Sequence, residues 1–347
     1  MTVHFLTQFA PDFETAFSRQ SAYIIEYLKE IGVNYRVYTW ERAFPQPFMH
    51  NRINVAPWKT LFAEVFSSDD ILLFQGEYWA FPLELKRIPM PFVWYTPVDT
   101  AVLPWNYFEV AAYADLIVSP TEFGRQVLLK HGYSSVHEEP IPNTVRLAET
   151  MEKLPKEGGM VHIGTVLRPQ RRKNVPGLVR CLSRIKEPFM LHCVSEDELG
   201  EYCLSDIFKQ YDIKYRLYTG VDNTQLRRFY NTIDLYVNTS MAEGFDLPTA
   251  EALLAGKCVL VSDSPVHQEM VETQHNRIKM NHTVRVANGS EWGLIDVDDF
   301  EVKYKALRDF GFPATPNKVA EYANPEVVLD KWRHLITNFK EILAYYG

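Results

Sequence analysis

Short apolar runs alternate along this chain with longer stretches in which apolar side chains recur every three or four residues. The run at 3–7 predicts a buried strand, and the periodic stretch at 18–31 predicts an amphipathic helix. Gly32 is a helix-ending residue, and the run at 35–39 predicts a second strand. This strand–helix–strand order is typical of doubly wound α/β domains, in which helices cover both faces of a parallel sheet.

The same patterns predict most of the remaining elements. Strands are expected at 71–75, 92–96, 160–166, 189–194, 215–219, 234–239 and 257–262, and helices at 122–130, 175–185 and 222–230. Thr121 and Asp222 are candidate N-caps. We expect residues 41–60 to be mostly loop and residues 273–320 to hold two or three short elements. Apolar side chains at three- and four-residue steps predict one amphipathic helix over 325–346.

A charged, poorly apolar stretch from 149 to 159 ends in two glycines and predicts a linker. We therefore expect an N-terminal domain at 1–145, a linker at 146–159 and a C-terminal domain at 160–324. The helix at 325–347 is expected to cross back to the N-terminal domain. A chain of 347 residues is long enough for two domains that each bury a core.

Composition narrows the class of protein. An apolar share of 46% and a charged share of 23% are ordinary for a soluble globular protein. No run approaches the roughly 18 apolar residues of a membrane span, and the N-terminus lacks a signal-peptide pattern, so we expect a cytoplasmic protein. The four cysteines lack C-x-x-C spacing, which favours reduced thiols over zinc or disulfides. A net charge of −8 argues against non-specific nucleic-acid binding.

The stretch 240–256 joins two predicted strands and carries two carboxylates. Pro248 fits the first position of a helix, and Gly256 fits the residue just past its end. Ligands of parallel sheets bind at strand carboxyl ends, near helix N-termini. Glu243 would lie in that loop and Glu251 in the first turns of the helix, with the amides of residues 244–246 beside them. Such a site suits a ligand with phosphate and hydroxyl groups. The alternative is that Glu251 caps its helix and Glu243 is solvated.

A second loop is strongly basic. Between the strand predicted at 160–166 and the helix at 175–185 lie four cations, Arg168, Arg171, Arg172 and Lys173. Arginine offers a bidentate fork and lysine a compact charge, so this loop could clamp a diphosphate. Taken alone, such a loop would more naturally be a solvated basic turn, but it opens the same half of the sheet that the Glu243 loop is expected to close.

Together these motifs resemble those of a known enzyme family. Glu243 and Glu251, eight positions apart with seven residues between them and followed by a small-residue helix, resemble the E-x7-E signature of retaining GT-B glycosyltransferases, especially family 4. Gly164-Thr165 with the sequence Arg-Lys-Asn at 172–174 resembles that family's phosphate-binding element. The resemblance implies two Rossmann-like domains that face a central cleft.

The resemblance also implies roles for individual residues. Glu251 would bind the donor ribose, and Glu243 would hold the donor sugar together with the residues of the loop that follows it, Gly244, Phe245, Asp246 and Leu247. Lys173 would clamp the diphosphate beside Gly164 and Thr165. Arg168 and Arg172 are both candidates for the arginine that joins Lys173.

The implied reaction is transfer of a sugar from a nucleotide-diphosphate sugar to a hydroxyl acceptor with retention of anomeric configuration, the reaction of a hexosyltransferase. The acceptor would be a saccharide or a lipid-linked or protein-linked hydroxyl. The sugar nucleotide is a co-substrate, and no further cofactor or metal is implied. On the acceptor side, the candidates are Gln8, in a loop that lacks the family's glycine pair, and Asp99, near which family members often place a histidine.

Two alternatives stay open. The missing N-terminal glycines and histidine are compatible with a scaffold that binds nucleotide or sugar without transferring it. An isomerase or epimerase on the same fold is a further hypothesis. Hydrolysis is disfavoured, because Glu243 and Glu251 would lie together on the donor side and would not flank a scissile bond. We interpret His267 as a structural or rim residue.

Overall fold

The computed structural model describes residues 1–11, 15–40, 48–50, 53–195 and 201–346. These residues fall into two compact units. Unit 1 comprises Met1–Thr144, Asn288–Ser290 and Pro325–Gly347, and unit 2 comprises Val145–Ala287 and Glu291–Asn324.

The elements alternate between strand and helix through most of the chain. The strands are β1 (Thr2–Thr7), β2 (Asn34–Thr39), β3 (Phe48–His50), β4 (Ile53–Pro57), β5 (Ile71–Gln75), β6 (Phe92–Tyr95), β7 (Leu116–Val118), β8 (Val161–Val166), β9 (Phe189–Val194), β10 (Tyr215–Tyr218), β11 (Leu235–Asn238), β12 (Cys258–Ser262), β13 (Arg277–Ile278), β14 (Met280–Arg285) and β15 (Glu291–Ile295). The helices are α1 (Ala16–Ile31), α2 (Phe108–Ala111), α3 (Glu122–Lys130), α4 (Val175–Leu182), α5 (Leu204–Gln210), α6 (Asn223–Thr232), α7 (Leu247–Leu254), α8 (Pro265–Met270), α9 (Val297–Asp309), α10 (Val319–Tyr322), α11 (Pro325–Thr337) and α12 (Phe339–Tyr346).

The described part of unit 1 is built on one seven-stranded sheet with the order β3-β4-β2-β1-β5-β6-β7. Only β3 within it runs antiparallel, paired to β4. If β3 is left out and the other six strands are renumbered 1 to 6 in chain order, their order across the sheet is 3-2-1-4-5-6, which is the order of the Rossmann fold. Alternate strand residues enter the cores on opposite faces, so that Phe5 packs in one cluster and Leu6 in the other.

Unit 2 has the same strand order. Its parallel sheet runs β10-β9-β8-β11-β12-β13, which is again 3-2-1-4-5-6, and β14 and β15 form a separate antiparallel pair. The order reverses between β8 and β11, and this is the position where open α/β sheets bind their ligands. The fold is therefore α/β with two Rossmann-like units, as the sequence predicted.

Local capping explains where several helices begin. Thr121 accepts a hydrogen bond from the amide of Gly124, and Asp222 forms a capping box with Gln225, so both predicted N-caps are confirmed. The helix predicted at 18–31 begins earlier, at Ala16, because the Thr15 side chain accepts from the amide of Ser18. None of the helices in the described part of the chain has both the length and the apolar character that a membrane crossing requires.

The prediction that residues 41–60 are mostly loop was wrong in part. Residues 53–57 form β4, whose Val55 is fully buried and pairs with Val37 of β2. The short apolar alternation was hidden by the proline that ends the strand. Residues 48–50 form β3, while 41–47 and 51–52 lie outside the described residues.

The C-terminal part of the chain, from residue 273 onward, also differs from the prediction. Residues 273–320 contain the thirteen-residue helix α9, which Asp296 caps by accepting from the amides of Asp298 and Asp299. Its charged composition concealed a buried face of Phe300, Tyr304 and Leu307. The single helix predicted at 325–346 is two helices, α11 and α12, separated at Asn338. Helical backbone hydrogen bonds continue across this residue, from the Asn338 amide to the His334 carbonyl and from the Ile342 amide to the Asn338 carbonyl, so the interruption is local.

The terminal helices belong to the core of unit 1. Trp332 of α11 is buried there, with its ring 5.2 Å from that of Tyr95 in β6, and α11 packs on α1. Aromatic rings at this separation add to the stability that burial alone provides.

Candidate donor site in unit 2

Two loops of unit 2 leave neighbouring strands at the same edge of the sheet. The basic loop follows β8, and the loop with Glu243 follows β11. Leu235 and Tyr236 of β11 pair in parallel with Ile163 and Gly164 of β8. Because parallel neighbours end at a common edge, the fold brings the two loops to the point where the strand order reverses.

The side chains of the two loops meet on one carboxylate. Arg172 Nη1 lies 2.8 Å from Glu243 Oε2, and Lys173 Nζ donates to Glu243 Oε1. Arg172 is held further by the Ala242 carbonyl, to which it donates, and by the amide of Met241, which donates to the Arg172 carbonyl at 2.8 Å. The structure therefore joins the cationic loop and the carboxylate loop into one cluster.

The cluster carries a net positive charge at its outer side. Glu243 is 4% exposed, whereas the side chains of Lys173 and Arg172 are 13% and 24% exposed. Burial alone would raise the pKa of Glu243, but the charges of Lys173 and Arg172 hold that pKa well below the usual value of 4.5. Glu243 is thus ionised, and the three side chains together carry a formal charge of +1.

Asn174 fixes the end of the basic loop. It adopts a left-handed conformation with φ of 52°, accepts from the amide of Gly177 to cap α4, and donates to the Thr239 carbonyl at 3.1 Å. A Cβ at position 177 would collide with the Asn174 side chain, so the cap requires a glycine there. These contacts tie the loop after β8 to the end of β11.

Asp246 anchors the carboxylate loop from the inside. Its Oδ2 accepts from Asn238 Nδ2 and faces His267 Nε2, each at 2.8 Å, and both members of the His267–Asp246 pair are completely buried. His267 Nδ1 lies 2.7 Å from the Ser262 carbonyl. Both ring nitrogens of His267 therefore have hydrogen-bond partners inside the protein. His267 is therefore structural, and its buried position rules out a place on the rim.

Asp246 also sets the start of the helix. With φ of 64° it occupies the left-handed region, and α7 begins at the following residue, Leu247. Pro248 is consequently the second helical residue, one position later than predicted, while Gly256 follows the helix end with φ of 69°. The pair with His267 holds this strained residue in place.

Glu251 points into the protein and has a partner that the sequence did not reveal. The hydroxyl of Tyr230, in α6, donates to Glu251 Oε2 at 2.9 Å and to the Pro248 carbonyl at 3.1 Å. Tyr230 and Glu251 are twenty-one residues apart, and only the packing of α6 against α7 brings them together.

The remaining predicted donor residues lie at the same edge in different environments. Gly164 allows close packing, because a Cβ there would collide with the Ile233 side chain. Thr165 is buried, and Arg168 is exposed at the start of the basic loop. The loop residues Gly244, Phe245 and Leu247 are buried. The roles that we predict for these residues in donor binding stay predictions.

The two acceptor-side candidates lie in unit 1. Gln8 is buried, and its Oε1 accepts from the amide of Glu77 at 2.8 Å, which ties the loops after β1 and β5 together. Asp99 is partly exposed near Tyr78, whose pKa is raised by burial and, to a smaller extent, by the charge of Asp99. Within the described residues, no group of three or more His, Cys, Asp or Glu side chains could hold a metal ion.

Part of the chain matches a known protein family. Residues 147–283 match the family described as "Glycosyl transferases group 1". No curated protein sequence matches the chain.

Solved structures resemble the chain over nearly its whole length. HepE from Anabaena, in complex with UDP and glucose, has a TM-score of 0.67 and 13% identity over 99% of this chain and 100% of its own. Sucrose-phosphate synthase from Thermosynechococcus elongatus has a TM-score of 0.68 and 12% identity over 100% and 97%. The E. coli structure described as trehalose-6-phosphate bound with UDP-2-fluoro glucose has a TM-score of 0.64 and 12% identity over 99% of both chains. The chain therefore has the GT-B fold, and unit 2 contains a glycosyl transferases group 1 domain.

Proposed function

We propose that this protein is a retaining glycosyltransferase that moves a sugar from a nucleotide-diphosphate sugar to a hydroxyl acceptor without a metal ion. The observation that carries the proposal is the convergence of Arg172 and Lys173 on buried Glu243 at the reversal point of the unit 2 sheet. The match of this segment to the glycosyl transferases group 1 family supports it.

The chemistry follows from the charges. Breaking the bond between the sugar C1 and the diphosphate oxygen puts negative charge on the departing phosphate. Lys173 and Arg172 are held at the site before the reaction, so they stabilise that charge with little reorganisation. The acceptor oxygen forms the new bond to C1 on the same face, and its proton passes to the departing phosphate. Two side-chain cations fill the role that a metal ion has in other phosphate sites.

The carboxylates would serve recognition. Glu243 is ionised and accepts hydrogen bonds, so it suits donor-sugar hydroxyls as well as the two cations. Glu251 would accept from the ribose, sharing its carboxylate with the Tyr230 hydroxyl. Two similar structures hold UDP or a UDP-sugar analogue, so UDP-glucose is the first donor to test.

The test begins with a panel of nucleotide sugars, with and without hydroxyl acceptors, scored by release of nucleoside diphosphate. With the active donor, Lys173→Ala and Glu243→Ala should each lower turnover by about 10²–10³-fold, because each removes or misplaces a charge that stabilises the departing phosphate. Arg180→Ala and Glu272→Ala, exposed positions of the same unit, are matched controls. Near wild-type turnover in both site variants would remove the assignment. The anomeric configuration of the product, read by NMR, tests retention, and an unchanged rate in EDTA tests metal independence.

A binding scaffold is the second candidate. The contact of Gln8 favours a scaffold, because the Oε1 of this acceptor-side candidate already accepts a hydrogen bond from the Glu77 amide in the loop after β5. Isothermal titration would detect nucleotide-sugar binding by either protein. Only a transferase releases nucleoside diphosphate, slowly by hydrolysis and faster with an acceptor.

A further inference from the structure

Three tryptophans collect at one edge of the unit 1 sheet. Trp40 directly follows β2, Trp58 directly follows β4, and Trp79 lies four residues after β5. These strands are parallel and lie in the order β4-β2-β1-β5, so their carboxyl ends share an edge. This is the edge at which doubly wound sheets bind ligands.

The three side chains line a cavity of about 910 Å³, which we call the tryptophan cavity. Its volume falls within the roughly 300–1,000 Å³ range of small-molecule sites. The rings of Trp40 and Trp79 meet edge to face, with centroids 6.0 Å apart and planes at 81°. Trp79 is 50% exposed, so an aromatic face remains available to a ligand.

The charge of the cavity is opposite to that of the protein. Among the described residues that line it, Lys59, Lys86 and Arg87 are cationic and Glu84 is anionic, a local balance of +2. The whole chain has a net charge of −8. Lys86 is positioned by the ring of Tyr113, whose centroid lies 3.7 Å from its Nζ. A cation-rich cavity in an acidic protein favours an anionic ligand.

We propose that the tryptophan cavity binds an anionic saccharide, and that this saccharide is the acceptor of the transfer proposed above. The C–H faces of pyranose rings stack on indole, and the carboxylate, sulfate or phosphate groups of the saccharide pair with Lys59 and Arg87. The acceptor role rests on the proposed function, whereas saccharide binding does not. A saccharide fits better than a lipid surface, because the tryptophans line a concave space.

Binding is tested with carboxylated tetrasaccharides from hyaluronan and polygalacturonate, a sulfated tetrasaccharide from heparin, and neutral maltotetraose. The full chain is titrated by tryptophan fluorescence and calorimetry. At low salt, at least one anionic probe should bind about tenfold more tightly than the neutral one, with the preference fading as salt is added. Trp79→Ala and Arg87→Met should each weaken that binding by about tenfold or more. Trp105→Ala is the matched control, since Trp105 is 70% exposed and does not line the cavity.

The donor reaction separates the two parts of the proposal. With the active donor, the bound probe should accelerate nucleoside diphosphate release, and Trp79→Ala should raise the KM for the saccharide while leaving UDP binding unchanged. Lys173→Ala should lower release by about 10²–10³-fold and leave saccharide binding intact. If saccharide binds but no donor is consumed, the proposed function fails and the binding site stands.

Other results overturn the proposal. Binding of none of the anionic probes at millimolar concentration, or binding indifferent to Trp79→Ala and Arg87→Met, excludes the saccharide site. A different outcome is sedimentation of the protein with phosphatidylglycerol vesicles in a way that requires Trp79 and that no saccharide inhibits. That result would assign the cavity to binding of a membrane surface. Saccharide binding that leaves the rate of an active donor unchanged would exclude the acceptor role.

Discussion

The buried pair of His267 and Asp246 allows a quantitative prediction about the stability of the carboxylate loop. His267→Ala leaves the Asp246 carboxylate enclosed with Asn238 as a hydrogen-bond partner, while its Oδ1 has no partner within the described part of the chain. Removing one member of a buried ion pair typically costs about 3–5 kcal/mol. That is a large share of the roughly 5–15 kcal/mol that holds a domain folded. We expect a loss of this size in the free energy of unfolding.

The structure also predicts a rescue. Asp246 is an aspartate in the left-handed region, with φ of 64°, where glycine is unstrained. Adding Asp246→Gly to His267→Ala removes both the orphaned carboxylate and the backbone strain, so the double variant should regain about 1–3 kcal/mol. Asp246→Gly, although it removes further polar contacts, is thus expected to stabilise the His267→Ala variant.

Urea unfolding followed by circular dichroism measures the free energies of unfolding for wild type, His267→Ala and the double variant. Hydrogen exchange over peptides from 235 to 270 tells whether the loss of stability lies in the carboxylate loop. Trp105→Ala, an exposed substitution in unit 1, controls for general effects on the chain. If the double variant is no more stable than His267→Ala, the account of an unpaired buried charge is wrong.

Two further predictions test the charges of unit 2. Arg172→Ala should lower turnover by about 10²-fold, whereas Arg168→Ala, at an exposed position, should lower it clearly less. Equal losses of turnover would contradict the choice of Arg172 as the arginine that joins Lys173. Burial, with a contribution from His162, lowers the pKa of His192 from 6.5 to about 4. Between pH 6.5 and pH 4, His192 is therefore protonated in the unfolded chain and neutral in the folded protein. The free energy of unfolding should fall by up to about 3 kcal/mol as the pH drops through this range. His192→Gln should flatten this pH dependence in urea unfolding, whereas His275→Gln, at an exposed position, should not.

Local patterns predicted the parts of the fold that depend on neighbouring residues. Strand periodicity and the caps at Thr121 and Asp222 are properties of a few consecutive side chains, and they were read correctly. The loop of Glu243 and its helix were found for the same reason. The strand β4 was missed, because its burial depends on pairing with β2 and is weakly encoded in five residues.

The sequence patterns could not predict contacts between segments that are distant along the chain. Tyr230 reaches Glu251 and His267 reaches Asp246 only through the order in which strands and helices pack. The tryptophan cavity has the same origin, since its three indoles follow strands whose adjacency is set by sheet topology. Nothing in the spacing of the tryptophans along the chain indicates that they share a cavity.

The repeated strand order explains how one chain can hold two different chemistries. The central strands of both sheets are buried and apolar, whereas the loops at the carboxyl edge are free to carry polar groups. In unit 2 that edge gathers cations on a carboxylate, which suits a diphosphate; in unit 1 it gathers indoles and cations, which suits a charged sugar. Because each set is anchored within its own unit, substitutions at one edge should alter recognition of one substrate and spare the other. Under the proposed function, this separation would let a shared scaffold keep one donor while its acceptor changes.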